Sequence, residues 1–215
     1  MILIRLMACL LIASLSACAG LPDQPHPYED YLDQKNIELP NPDEFQHCRG
    51  YGCAFRDRVS LDKKEWRQVR RYFKGVKSPE AEREAVAKAI GYFERDIGQK
   101  TNTADDIAGT FGKVGTHQLD CIDESTNTTI YLALLQKQNI LKYHKVSAPM
   151  SRTPLTGMAR GKFWPHQTAV IIDMKSGQAY AVDSWYRDNG FPADIVGLDQ
   201  WLYGWSPDVL AARNL

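Results

Sequence analysis

The sequence predicts an α+β fold: N-terminal helices followed by an antiparallel β-sheet, with a cysteine at the N-terminus of a core helix packed on that sheet. Three observations lead there. Apolar residues recur at helical spacing between residues 60 and 98. A further apolar run, with Ile122, Ile130 and Leu134, follows Asp120. The last third then changes character to "FWPHQTAVIIDMKSGQAYAVDSWYRD", where two runs rich in Val, Ile and Ala flank the turn residues "KSG". Helices that precede the strands, rather than alternating with them, favour α+β over a parallel sheet.

Each element has a local reason. Ser60 is a cap for "LDKKEWRQVRRYF", in which Leu61, Trp66, Val69 and Phe73 share a face. After the break "KGVKSPEAE", Ser78 caps a second helix with Pro79 at its first position and Glu80 and Glu82 in its first turn. Ala85, Val86, Ala89, Ile90 and Phe93 form its apolar face, and Gly98 ends it. The charges on these helices, such as Arg70, Arg71, Glu82 and Glu94, read as a solvated face. The following "TNTADDIAGTFGKVG" is a glycine-rich loop without the Gly-Lys-Ser/Thr ending of a phosphate-binding loop, which argues against nucleotide binding. A third helix starts near Asp120 and runs through "TTIYLALLQKQN". A strand runs through "LKYHKVSA", and Asp199 caps a last short helix, "QWLYGW".

The beginning of the chain places it in a cell. Arg5, the apolar run Leu6 to Leu15 and the small residues after it read as a signal peptide over 1–17. Leu15-Ser16-Ala17-Cys18 resembles a bacterial lipobox, so Cys18 is expected to carry lipid and hold the protein on a membrane. Ala19 after it points to the outer membrane, facing the periplasm of a bacterial envelope. Residues 18–44, with five prolines and little apolar periodicity, read as a tether, with Tyr28, Tyr31 and Ile37 as its potential contacts to the domain. Residues 45–215 then form one domain. Acidic and basic residues balance at 26 each, so nucleic acid is not an expected partner.

Five cysteines sharpen this picture. Cys9 leaves with the signal peptide. Cys48 and Cys53, in "HCRGYGC", are close enough to close a disulfide outside the cytoplasm. The rival is half a zinc site with His47, but no second ligand pair follows, so neither metal nor cofactor is expected. Cys121 is left over as a free thiol.

With Asp120 as N-cap, Cys121 takes the first helical position and Asp123 the third, a capping-box pattern. Helix N–H groups favour a thiolate there, whereas Asp120, Asp123 and Glu124 oppose it. His166 opens a strand and Asp183 lies on the return strand. A two-residue turn at Lys175-Ser176, or a four-residue loop from Met174 to Gly177, pairs Thr168 with Asp183. His166 then lies diagonal to Asp183 on one face. A thiol, a histidine base and an orienting carboxylate are the parts of nucleophilic acyl transfer, with backbone N–H groups at the helix start, joined by Gln118, as the oxyanion donors. The alternatives are His117 or His144 as base and Asp173 or Asp188 as orienter. Cys121 as a small buried hydrophobe is the plain reading. Trp164, Trp185 and Tyr186 are walls of the site or simply core, Arg187, Asp188 and Asn189 could shape specificity, and Asn127 bonds locally on its helix.

Cys121 opening a helix, His166 starting a strand and Asp183 on the next strand resemble the transglutaminase-like branch of the papain-type superfamily, over residues 115–186. The resemblance implies a thiol enzyme that cleaves or exchanges amide bonds in a peptide, protein or peptidoglycan through a thioester. Members without the chemistry imply the alternative, a lipoprotein that binds an envelope protein or peptidoglycan on the same fold.

Overall fold

The structure is a computed structural model and describes residues 27–110, 115–153 and 165–207. The fold is mixed α+β. Its elements are α1 (Tyr28–Gln34), β1 (Phe45–Arg49), β2 (Phe55–Val59), α2 (Lys63–Tyr72), α3 (Pro79–Thr101), α4 (Cys121–Lys137), β3 (His144–Arg152), β4 (His166–Asp173), β5 (Ala179–Asp183), β6 (Asp194–Gly197) and α5 (Leu198–Leu202). Strands β1 and β2 form an antiparallel hairpin, and β3-β4-β5-β6 form a second antiparallel sheet in chain order.

Alternation along β4 divides the core. Ala169 and Ile171 face α4 together with Val182, whereas Val170 and Ala181 face α5 with Met150, Leu198 and Trp201. Helix α4 lies between the sheet, the β1–β2 hairpin and α3, so every residue from Asp123 to Leu135 is buried. Its apolar half, Ile130 to Leu135, belongs to the main cluster, each large side chain contributing about 1.5–3 kcal/mol of burial. Glycine lets α3 approach its neighbours: a Cβ at Gly91 would meet the Phe191 carbonyl, and one at Gly98 would meet Asn189 and Ala104.

Helix α4 begins as its caps dictate. The Asp120 side chain accepts from Ile122 N and Asp123 N, and Asp123 returns the bond to Asp120 N. Ser78 caps α3 with a single bond, its Oγ accepting from Ala81 N, and Pro79 takes the first helical position. The β4–β5 register pairs Ala169 with Val182, and its extension sets Thr168 opposite Asp183. A four-residue loop makes this possible: Asp173 N bonds Gln178 O, while the Asp173 carboxylate holds Lys175 N and Ser176 N.

Several expectations are corrected. The tether does not reach residue 44, because Tyr28, Leu32 and Ile37 are buried in the main core and α1 packs against β3. Tyr28 and Leu32, one turn apart, share the face that α1 buries, and that packing stabilises a helix too short to hold alone. Residues 1–26, including Cys18, and Trp164 lie outside the described residues. The β1–β2 hairpin before α2 was not expected, while the four-stranded antiparallel sheet follows the helices as the sequence predicts. Asp62 rather than Ser60 caps α2, in a capping box with Glu65. Helix α3 continues past Gly98 to Asn102, whose left-handed backbone ends it. Helix α5 starts after Gly197, which puts Asp199 in its first turn rather than at its cap.

Two acids on α3 are core rather than solvated. Glu82 is buried and accepts from the N–H groups of Lys142, Tyr143 and His144 and from His144 Nδ1. It ties α3 to the start of β3, and these bonds hold its carboxyl below the usual range despite its burial. Glu94 is buried beside α4.

Candidate active site

His166 and Asp183 meet at the end of the sheet where β4 begins and β5 stops. His166 Nε2 lies 2.8 Å from Asp183 Oδ2, and both residues are buried. The same carboxylate oxygen accepts from Trp201 Nε1 at 2.7 Å. An acceptor at Nε2 places the neutral ring's proton there, leaving the lone pair on Nδ1. His166 Nδ1 is buried and has no hydrogen-bond partner among the described residues.

Aromatic rings fix the imidazole. The centroids of Trp185, Tyr186 and Trp201 lie 4.6, 5.0 and 5.4 Å from that of His166. Arg152, opposite His166 in the β3–β4 register, secures two of these rings. It is buried, lies over Trp201, and donates to the carbonyls of Trp201 and Trp205 and to the Tyr186 hydroxyl. A register shift between Ser147 and Met150, at Pro149, brings Arg152 into this position.

Cys121 arrives from the other face of the sheet as the first residue of α4. Its partly buried side chain packs against Trp185 and Tyr186. The sulfur accepts from the backbone N–H of Gln167, the residue next to His166. Gln167 lies beyond the last β4–β5 pair, so its N–H has no strand partner on that side and the thiol takes the place. Burial above all, then the charges of Asp120 and Asp183, push the thiol up to about 11; the N–H groups of Gln167 and Cys121 only partly offset this. The resting thiol is therefore neutral at physiological pH, and a base must remove its proton at the moment of attack.

The acids around Cys121 have partners of their own. Asp123 accepts from Tyr51 N at 2.7 Å and Cys53 N at 2.6 Å, and Asp120 from Gly52 N at 3.0 Å. These donors converge because Gly50, Tyr51, Gly52 and Cys53 all have φ between 61° and 82°, a left-handed run that aims successive N–H groups one way. Tyr51 and Cys53 are strained in this region. The Cys48–Cys53 disulfide closes the turn, and Asn127 clasps Cys48 through its N and O at 2.7 and 2.9 Å. Asn127 thus bonds across the fold, not locally along its helix. His47 is turned away from the disulfide and bonds the Tyr131 hydroxyl.

The remaining candidates lie elsewhere. The Gln118 carboxamide closes the preceding loop: Nε2 donates to Asp105 O, and Oε1 accepts from Ile107 N and Thr110 Oγ1. One Nε2 hydrogen is thereby committed to the loop. His117 is exposed beside Asn102. His144 and Asp173 pair at the opposite end of the sheet from His166. Asp188 accepts from Ala108 N, and Arg187 is bound to Asp194. Trp201, Arg152 and the Gln167 N–H were absent from the sequence reading. Only the aromatic spacing of "WLYGW" hinted at the first, and nothing local marked the others.

No family model matches the chain, and neither the curated proteins nor the solved structures contain a match to it.

Proposed function

We propose that the protein is an envelope thiol enzyme that hydrolyses or transfers amide-linked acyl groups through a thioester on Cys121. One observation carries this reading: a histidine oriented by a buried aspartate keeps its Nδ1 unpartnered among the described residues, at the sheet end where the neighbouring N–H holds the thiol. His166 Nδ1 takes the thiol proton as sulfur attacks the carbonyl, and the aromatic rings and Asp183 stabilise the imidazolium. The Cys121 and Gln167 N–H groups, both directed at the sulfur, are the donors nearest the developing oxyanion. His166 then returns the proton to the leaving amine. Water or a second amine completes the cycle from the thioester. This arrangement of thiol, base and acid supports a transglutaminase-like relationship.

The Cys48–Cys53 disulfide supports an oxidising compartment, and the lipobox supports attachment through lipid on Cys18 at the outer membrane. The substrate is then a peptide, a protein or peptidoglycan. Among the described residues no helix is long and apolar enough to cross a membrane. Cys18→Ser should block palmitate incorporation and shift the protein out of the membrane fraction; unchanged membrane attachment removes the lipid anchor from the proposal.

The chemistry is tested with p-nitrophenyl acetate, an activated acyl donor that needs little recognition. The folded protein should accumulate acetyl on Cys121, seen by peptide mapping, and His166→Ala should slow this by about 10³-fold. The second reading is a non-catalytic lipoprotein that binds an envelope protein or peptidoglycan, favoured by the raised thiol pKa. A Cys121 that stays unacylated until the chain unfolds decides for it.

A further inference from the structure

Behind Cys121 lies a group of buried acids that the proposed chemistry does not use. Glu124, one turn into α4, accepts from Ser184 Oγ at 2.6 Å. Ser184 directly follows Asp183 and also shares a hydrogen bond of 3.1 Å with Thr128, on the next turn of α4. Asp106 accepts from Leu119 N at 2.6 Å, just before Cys121, and its carbonyl receives Asn189 N. Asp106 and Glu124 are hydrogen-bonded to each other, and both are buried. Glu94, on α3, accepts from Gly190 N and lies within hydrogen-bond reach of Ser184, while its Oε1 is buried without a partner among the described residues. Among the described residues, no lysine, arginine or histidine forms an ion pair with any of these three acids.

Two touching carboxyl groups without a cation cannot both ionise. We propose that Glu124 is a positioning residue of the thiol site: through Ser184 it locks the Cys121 helix to the strand end that carries Asp183, and it does so while one proton is held between it and Asp106. The inference rests on the thiol-enzyme reading above. Asp106 is the natural owner of the proton, since it donates to Glu124 and leaves the Glu124 carboxylate free to accept from Ser184. Loss of that proton sets two anions against each other beneath the site.

The surroundings favour retention of the proton. Glu94 and Tyr131 face the pair from α3 and α4, Asp123 from the first turn of α4, and Asp183 from β5. Asp123 is occupied by the disulfide loop, and His47, which bonds Tyr131, is buried and neutral, so neither brings a positive charge. Burial first, then the Glu124 charge, push Asp106 up to about 9; burial also raises Glu124, and Glu94 lies well above its ordinary value. The sign follows directly. The folded protein binds this proton more tightly than the unfolded chain, so the stability it contributes is complete below 3.8, declines as pH rises from there, and is fully lost once pH passes about 9.

The experiment compares wild type, Asp106→Asn and Ser184→Ala by acetylation of Cys121 and by thermal unfolding, both between pH 6 and 10.5. Thiol ionisation alone would make acetylation rise throughout this range. The wild type should instead turn down near pH 9, where Asp106 ionises. Asp106→Asn, whose amide donates to Glu124 at every pH, should keep rising and should lack the fall in unfolding temperature that the wild type shows between pH 6 and about 9. Ser184→Ala should acetylate about tenfold more slowly at pH 7 while keeping the wild-type dependence of unfolding on pH. An alkaline limb unchanged in Asp106→Asn, or an unaltered rate in Ser184→Ala, overturns the proposal. Should Asp106→Asn not fold, Ser184→Ala decides alone. A wild type that shows the unfolding limb but never acetylates instead breaks the thiol-enzyme reading, so the two failures are distinct.

Discussion

The two halves of α4 are equally buried and chemically opposite. From Asp123 to Thr129 seven consecutive polar residues are buried; from Ile130 to Leu135 every residue is apolar except for the Tyr131 hydroxyl. The second half needs only space that excludes water. The first needs a named partner for each side chain: Asp123 the hairpin N–H groups, Glu124 and Thr128 Ser184, Ser125 Gln167, Thr126 Tyr31, Asn127 Cys48, and Thr129 the Ser125 carbonyl. Apolar contacts tolerate sliding, whereas hydrogen bonds fix position and direction. The apolar half therefore holds the helix in the core, and the polar half sets where its first residue, Cys121, stands relative to β4 and β5.

Mutations in the two halves should separate these roles. Leu132→Ala, in the apolar half, should cost about 4 kcal/mol in denaturant unfolding. Acetylation of Cys121 by the molecules that remain folded should change less than about twofold, since transfer energy is lost without moving the start of the helix. A large drop in that rate would mean that apolar packing, too, positions the thiol.

The junction between the halves responds to acid. Tyr131 stacks on Phe93 at 4.7 Å and bonds His47 Nδ1 at 2.9 Å. Burial pushes His47 from 6.5 down to about 4, so in that window the unfolded chain binds more protons than the folded one. Stability is thus complete above pH 6.5 and falls as pH drops toward 4, by about 3 kcal/mol over the window. Unfolding of His47→Gln across the same range should lack this component; an identical pH dependence would show that His47 is not the group that titrates. The trend is opposite in sign to that of the Asp106–Glu124 pair, because burial disfavours a cation in one case and an anion in the other.

Asn127→Ala, in the polar half, should have the smallest effect on stability, about 2 kcal/mol, as it frees the N and O of Cys48. Its effect on Cys121 should be the larger one, an acetylation rate lower by about tenfold, because the left-handed loop that holds Asp123 loses its clasp. If Asn127→Ala and Leu132→Ala reduce the rate in proportion to stability alone, the two halves do not differ in role.

How much of this was legible in the sequence varies with the range of each interaction. The start of α4 was legible because Asp120 and Asp123 are three residues apart, as was the disulfide across five residues. The facing of His166 and Asp183 followed from a tight hairpin, where turn length sets the register. Glu82 and Glu94 were misread because a charge on a helix gives no sign of whether distant backbone N–H groups will cover it. The bonds of the Gln118 amide to the loop before it were not legible, because sequence proximity to Cys121 says nothing of its direction. The packing of α1 also escaped, since its few apolar residues acquire a partner surface only once β3 is in place.

The sequence by itself thus determined the α+β class, the helix that begins at Cys121, the pairing of Cys48 with Cys53 and the register that unites His166 with Asp183. Those features rest on interactions within a turn, a loop or a hairpin, where chain geometry leaves few alternatives. Only the tertiary structure decided that the acids near Cys121 are held by a left-handed loop, that Gln167 N–H meets the thiol, and that Asp106 and Glu124 lie together beneath Ser184. Such partners are separated by tens of residues, as with Asn127 and Cys48, 79 apart. Burial then forces each polar group to find whichever partner the completed fold brings near.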